Sequence, residues 1–265
     1  VRHLIGLTLV AATCAALPAT AADVAPASSS SPLATANTDA IVTLGGGARI
    51  QPTFDGASSY MLSPMPIVSL KFLRSPFTGQ PTSDTGFGIF PSFRFMDERK
   101  GVGKLNGLNN VAATFEGGVG FDYTDTYFRA FVEIRQGFGG EHGQTADLGL
   151  DGIFRPIDRL KLSAGPRLSL ASDDYMRTYF GVTAAETVTS AGKFNTFRPN
   201  GGVRGVGLGG AAVYTIDPHW EVQANAGWTH LVGDAASSPI VKKAGSAEQF
   251  TVGLGVAYKF GVGWH

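Results

Sequence analysis

The residues that could do chemistry are few and scattered. Gly205, Gly207 and Gly210 stand at the GxGxxG spacing with which a dinucleotide fold cradles a pyrophosphate. That fold needs a strand before the glycines and a helix after them. Here they lie inside an alternating run that ends at Ala212-Val213-Tyr214, so they read as strand glycines that permit close packing and curvature. Gly45-Gly46-Gly47 reads the same way. His142, His219, His230 and His265 are not paired at a metal-ligand spacing such as HExxH. Glu141-His142 reads as a solvated turn and Lys242-Lys243 as a loop. Asp173-Asp174 reads as part of a charged outer loop, because adjacent strand residues point to opposite faces. Serine is plentiful, yet no GxSxG is present, and a hydrolase would have to assemble from distant residues. The expectation is a non-enzymatic chain with no catalytic residue, no cofactor and no metal.

Composition sets the class of protein. The 265 residues include 36 Gly and only 16% charged residues, against roughly a quarter in an average soluble domain. The 21 basic and 21 acidic residues cancel, which excludes the basic surplus of a nucleic-acid binder. The single cysteine, Cys14, excludes an intramolecular disulfide framework and a multi-cysteine zinc site.

The chain opens Val1-Arg2-His3, runs apolar from Leu4 to Leu17, and then reads Pro18-Ala19-Thr20-Ala21. A basic start, a short apolar region and small residues at Ala19 and Ala21 predict a secretory signal peptide over 1–21. Thr13 before Cys14 is not the small residue that lipidation needs. Residues 22–38 are rich in Ala, Ser, Pro and Thr and cannot bury enough surface to offset chain entropy. They are expected to be a disordered linker, with one β domain over 39–265.

From Ile41 onward the dominant period is two. Phe250, Val252, Leu254, Val256, Tyr258 and Phe260 alternate with Gln249, Thr251, Gly253, Gly255, Ala257 and Lys259, which fits a strand and no helix. The pattern recurs at 115–123, 128–135, 159–170 and 220–228, with further candidates near 41–51, 66–73, 86–96, 145–154, 175–183 and 203–216. Strands of this length, with a polar face of mixed charge and aromatic residues near the ends of the apolar face, predict an all-β, antiparallel transmembrane β-barrel. Trp220, Trp228, Phe250, Tyr258, Phe115 and Tyr123 are the expected girdle.

Turn lengths test the topology. Short links at 124–126, 155–158 and 216–218 should share the periplasmic side, with long loops at 52–65, 97–110 and 232–246 outside. The first two obey this, and the third does not. One added strand between 184 and 200 restores the parity and gives twelve strands, with ten as the alternative. The link at 74–85 is long where a short turn is expected. Pro91 and Pro166 fall inside strand patterns and mark bulges or edges.

Three segments carry a resemblance. They are Leu44-Gly-Gly-Gly-Ala-Arg-Ile-Gln-Pro-Thr-Phe-Asp-Gly-Ala-Ser58 with Pro64-Met-Pro66-Ile-Val68, Gly165-Pro-Arg-Leu-Ser169 with Ser172-Asp-Asp-Tyr-Met-Arg-Thr-Tyr-Phe-Gly-Val182, and Trp228-Thr-His-Leu-Val-Gly-Asp-Ala-Ala-Ser-Ser-Pro-Ile-Val241 with Gly253-Leu-Gly-Val-Ala-Tyr-Lys-Phe260. Together they resemble the MipA/OmpV family of Gram-negative outer-membrane proteins over roughly 40–260. The resemblance implies a barrel in outer-membrane lipid. It also implies a scaffold that joins a lytic murein transglycosylase to a bifunctional murein synthase, and it supplies no catalytic motif. Departing from the usual aromatic ending, Gly261 to His265 extend beyond Phe260. Two other readings stay open. One is a small-solute pore lined by Arg129, Glu133, Arg135, Arg159, Lys161 and Arg167. The other is a surface adhesin working through the outer loops.

Overall fold

The computed structural model describes residue 33, residues 38–72 and residues 86–263. The expected signal peptide, nearly all of the expected linker, most of the 74–85 link and Trp264 lie outside the described residues. Ten antiparallel strands form one closed barrel: β1 (Ala40–Pro52), β2 (Tyr60–Phe72), β3 (Gly86–Met96), β4 (Thr114–Thr124), β5 (Phe128–Gly139), β6 (Gln144–Ile157), β7 (Leu160–Ala171), β8 (Gly202–Thr215), β9 (Trp220–Leu231) and β10 (Glu248–Val262). Each strand pairs with its sequence neighbour, and β1 closes on β10 from Ala40↔Val262 to Ile50↔Val252.

The strand count is ten, not the twelve preferred on turn parity. The segment 175–183 does not form a strand, and 184–200 adds none. Instead α1 (Asp173–Phe180) and α2 (Ala184–Thr189) occupy that stretch. Apolar Tyr175, Met176, Tyr179 and Phe180 share one helical face, which a strand would split between its two sides. A capping box starts α2: the Thr183 hydroxyl accepts from the Glu186 N–H and the Glu186 carboxylate from the Thr183 N–H. With the 175–183 strand removed, the turn at Asp217 follows β8 and falls on the expected side. Tyr60–Met65, expected in a loop, is the first half of β2.

The strand faces are inverted relative to a water-soluble barrel. Leu254 is 60% exposed, and Val252, Val256, Leu208, Phe121 and Phe115 also point outward, where lipid would cover them. Gln249, Gly253, Gly255, Ala257 and Glu221 are buried inward. Aromatic contacts ring the end that carries the short turns. Trp220 meets Tyr258 at 5.0 Å, and Tyr123 meets Phe87 and Phe128 at 5.1 and 5.9 Å. Trp228 and Phe250 sit near the opposite end of their strands. That end also carries loops 97–113 and 172–201, together with α3 (Gly233–Ser237) and α4 (Pro239–Ala244) of loop 232–247. Barrel convention makes the short-turn end periplasmic and the helical end external.

The apolar core lies in those outer loops, not in the lumen. Phe54, Met96, Val111, Tyr175, Met176, Tyr179, Phe180, Leu231 and Val241 form a buried cluster across the outer mouth. Leu108, Val182, Phe194 and Ile240 form a second. The loops therefore fold into a cap.

A lipid-facing charge tests this orientation. Leu254→Arg, at the middle of β10, is expected to cost about 2–4 kcal/mol, and Ile216→Arg in the β8–β9 turn only about 0–1 kcal/mol. Denaturant titration of the barrel folded into phosphatidylcholine vesicles measures both.

Candidate functional site

Beneath the cap, six consecutive strands send charged or hydroxyl side chains to one point in the lumen. Arg94 on β3 grips Glu116 on β4 in a two-pronged contact, Nη2 to Oε1 at 2.5 Å and Nε to Oε2 at 3.1 Å. Glu116 also accepts from Arg135 Nε on β5 at 3.3 Å and from the Thr145 hydroxyl on β6 at 2.9 Å. Arg135 reaches Glu133 at 2.6 Å, Ser92 at 2.8 Å, and Asp147 on β6. Asp147 in turn accepts from Ser169 on β7 and pairs with Arg204 on β8.

The cap enters this network through two side chains. Asp55, in the β1–β2 loop, pairs with both Arg94 and Arg204. The Tyr175 hydroxyl of α1 donates to Asp55 Oδ2 at 2.6 Å and accepts from Arg94 Nη2 at 2.9 Å. Both guanidiniums also lie over the Tyr175 ring, at 5.6 and 5.5 Å. Burial raises the pKa of the Tyr175 hydroxyl well above its ordinary value, so it remains a proton donor. Tyr179, beside it at 4.9 Å, is pushed up to about 12 by the same cause.

A second tier lies toward the periplasm. Arg129 pairs with Asp122 at 3.0 Å and Arg167 with Asp151 at 2.7 Å, and the two guanidiniums lie 4.8 and 4.9 Å from the Phe131 ring. Lys259 meets Glu221 at 3.2 Å. Met65, Ile67 and Ala257 form an apolar patch on another part of the inner wall. Ion pairs and the cap thus fill the lumen.

Of the residues expected to line a pore, Arg129, Glu133, Arg135, Lys161 and Arg167 are on the inner-facing parity of their strands, while Arg159 sits exposed in the β6–β7 turn. Asp173 and Asp174 occupy the first turn of α1, where the helix dipole favours them, and both pair with Arg177. His142 is exposed, as a solvated turn requires. Glu141 is not, being 1% exposed, with Oε2 accepting from the Gly143 N–H at 2.5 Å. Gly137 makes room for it, since a Cβ there would stand 1.7 Å from Glu141 Oε1. Among the described residues, no three His, Cys, Asp or Glu stand together as a metal site. Sequence reasoning missed Asp55, Arg94, Glu116, Asp147 and Arg204. Arg94, Glu116 and Asp147 occupy inward strand positions and were legible by parity, whereas Arg204 shares the parity of outward Val206 and Leu208 and is turned inward by a bulge in β8 opposite Ser169 and Leu170. Asp55 is a loop residue that only the folded cap brings in.

Two predictions follow from this geometry. Glu116→Ala removes the carboxylate shared by Arg94 and Arg135, leaving them to Asp55, Glu133 and Asp147, and is expected to cost about 3 kcal/mol. Arg177→Ala on the surface of α1 should cost about 0.5 kcal/mol or less. Denaturant titration separates the two. Burial raises the Glu141 carboxyl to about 7 from an ordinary 4.5. The folded state therefore holds this proton more tightly than the unfolded state, so stability is fullest below the ordinary value and falls as pH rises through about 7. Hydrogen exchange at the Gly143 amide should quicken from pH 5 to pH 8 by more than intrinsic exchange chemistry, and Glu141→Gln should remove the excess.

The profile of the MltA-interacting protein MipA family matches residues 44–260. Outer membrane protein OmpV of Vibrio cholerae is 34% identical over 172 residues, which are 64% of this chain and 58% of that protein. Omp26La of Vibrio anguillarum is 31% identical over the same shares. The chain thus spans a little over half the length of these curated relatives. Among solved structures, an outer membrane channel of Pseudomonas putida F1 superposes with TM-score 0.46 at 11% identity, covering 86% of this chain and 98% of that one. OprG of Pseudomonas aeruginosa gives 0.33 at 11% identity, covering 85% and 98%.

Proposed function

From the premise that the chain belongs to the MltA-interacting protein MipA family of outer-membrane β-barrels, we propose that it is a closed, non-enzymatic platform that docks a murein transglycosylase at its periplasmic rim. The observation that carries this reading is the filled lumen. The Arg94–Glu116–Arg135–Asp147–Arg204 network crosses the lumen and the Tyr175–Phe180 cluster caps its outer mouth, which disfavours a path for solute. A small-solute pore therefore has less support. Most apolar residues of the outer loops pack on one another, with Val102 and Val188 exposed singly, which gives an adhesive role little built surface. What remains is the rim formed by residues 125–127, 158–159 and 216–219, which is short and held by hydrogen bonds. Asp217, for example, accepts from the His219 and Trp220 N–H groups, both at 2.8 Å.

The family's name supplies the class of partner, MltA, and the inner-leaflet side of the barrel is where an enzyme acting on murein would meet it. A bifunctional murein synthase gathered at the same rim completes the reading. Docking at a rigid rim needs little reorganisation of the barrel, because strand ends anchored in a closed sheet lose little freedom on binding.

The test places a photoreactive amino acid at Tyr127, 73% exposed in the β4–β5 turn, and at Val188, 78% exposed on the cap. Adducts with a murein transglycosylase should form from Tyr127 and not from Val188, and the synthase should co-isolate with them. Envelopes in which Tyr127 gives no murein enzyme, or in which Val188 captures as much, would overturn the proposal.

A further inference from the structure

The barrel wall is not hydrogen-bonded all the way round. Among the described residues, β2 and β3 pair only at Leu70↔Ile89 and Lys71↔Gly88, near the periplasmic end. Above that, Tyr60–Ser69 pairs only with β1, and Phe90–Met96 only with β4. At the outer rim the two sides meet again, where the Asp97 N–H donates to the Thr53 carbonyl at 3.0 Å. The gap between is a window at membrane depth.

The sequence explains why this seam does not zip. Continuing the register upward would set Val68 opposite Pro91, Pro66 opposite Phe93 and Pro64 opposite Phe95. These are successive pairs of one parity, and each contains a proline without an N–H. Residues of one parity on a strand aim their backbone groups at the same neighbour. β2 keeps its ladder to β1 throughout, so the missing donors at Pro64 and Pro66 are those that would face β3. On the β3 side, the Phe95 carbonyl accepts from the Gln51 side chain instead of from a strand. An open edge in hydrocarbon is costly unless something covers it.

The window opens into a cleft of about 520 Å³ that runs through the wall. Pro64, Pro66, Phe93 and Phe115 form its lipid side, while Met65 and Arg94 lie on its inner side. The floor is Gly45-Gly46-Gly47, where a Cβ on Gly46 would meet nothing within 4 Å. Phe93 and Phe115 stack at 5.8 Å along one edge. Two residues above Gly47, on the same inner face, is Arg49. The other guanidiniums of the upper tier are ion-paired, but Arg49, which faces Glu133, Arg135 and Arg94, has no carboxylate within salt-bridge distance among the described residues, and its buried Nε has no hydrogen-bond partner there.

We infer that this window takes up a single-chain anionic amphiphile, a fatty acid, from the surrounding membrane. The chain lies on the glycine floor between the prolines and the phenylalanines, and the carboxylate pairs with Arg49. The apolar mouth suits a hydrocarbon chain, and a cleft of this volume is of small-ligand size. Arg49, two residues along β1 from the glycine floor and outside every ion pair of the described residues, favours a negative head over a neutral one. The inference is independent of any docking at the periplasmic rim.

The test uses nitroxide-labelled stearate and the matching labelled stearyl alcohol, with the barrel in phosphatidylcholine vesicles and electron paramagnetic resonance as the readout. The wild-type barrel should immobilise about one stearate beyond its boundary lipid and prefer it about tenfold over the alcohol. Gly46→Trp, at a lipid-facing position where a Cβ meets nothing within 4 Å, covers the glycine floor and should abolish the immobilised component. Arg49→Gln should keep chain binding and erase the preference. The heat-dependent gel shift of a folded barrel checks that both variants are closed. Folded Gly46→Trp with undiminished stearate, or equal binding of acid and alcohol by the wild-type barrel, would overturn the proposal. So would a dimer lost on Gly46→Trp, which would assign the open edges to a second copy of the chain.

Discussion

In hydrocarbon, a backbone N–H or C=O without a partner costs several kcal/mol, and almost every feature of this chain follows from avoiding that cost. Ten strands close on themselves because β10 meets β1. Irregular backbone is held to the two ends, where water or the folded cap can satisfy it. Side-chain alternation follows from the same closure. One face must meet lipid, so Val252, Leu254 and Val256 point outward and the other face inherits glycine and polar residues. The β2–β3 seam is the exception. Three prolines withhold donors where a ladder should run, and a seam of that kind persists only where something other than strand pairing fills it.

A polar lumen of ten strands is too narrow to be a bulk-water channel and too wide to be left empty. Charge pairing resolves the conflict. Arg94, Arg135 and Arg204 stand among Asp55, Glu116, Glu133 and Asp147, each touching more than one opposite charge. Such a network gains little over an apolar filling, because desolvation offsets most of the Coulomb attraction. Removing a single member costs far more, because it strands the rest. Its product is specificity of arrangement, and a lumen held this way does not relax into an open pore. The apolar residues that a soluble domain would bury at its centre lie instead between Phe54, Tyr175, Phe180 and Val241, on top of the barrel.

Much of this was legible in the sequence. Strict alternation over 249–260 fixed which face of β10 meets lipid, and the same rule placed Glu133, Arg135 and Arg167 inside. The MipA likeness was carried by the residues quoted for it. Strand number was misread where local pattern competes with period. Tyr175-Met176-Arg177-Thr178-Tyr179-Phe180 contains alternation, yet its apolar residues fall at helical spacing, and Thr183-x-x-Glu186 announces a helix start. Both signals were present and were outweighed by the expectation of another strand. The upper charge network was half visible, because parity gives Arg94, Glu116, Arg135 and Asp147 but neither Asp55, which is in a loop, nor Arg204, which a bulge turns inward. The open seam was visible only in part. Pro91 was noted as a break, but the meaning of Pro64 and Pro66 depends on β2 beginning at Tyr60, and on a register that no single strand contains.

The cap and the barrel meet at Asp55, and this makes them one mechanical unit. Its carboxylate receives Arg94 from β3, Arg204 from β8 and the Tyr175 hydroxyl from α1. Arg94 and Arg204 come from strands on different sides of the lumen, so a change in barrel shape moves both anchors of the loop that carries Asp55. Tyr175 cannot leave without giving up its hydrogen bonds to Asp55 and Arg94 and its stacking under both guanidiniums. Lifting α1 therefore costs the apolar contacts of the cap and the pairing of the lumen together. For that reason the cap behaves as a built-in closure, unlike a loop that opens on thermal motion alone. An element that is expensive to move at the outer face leaves the β2–β3 window and the periplasmic rim as the parts of this barrel free to engage something else.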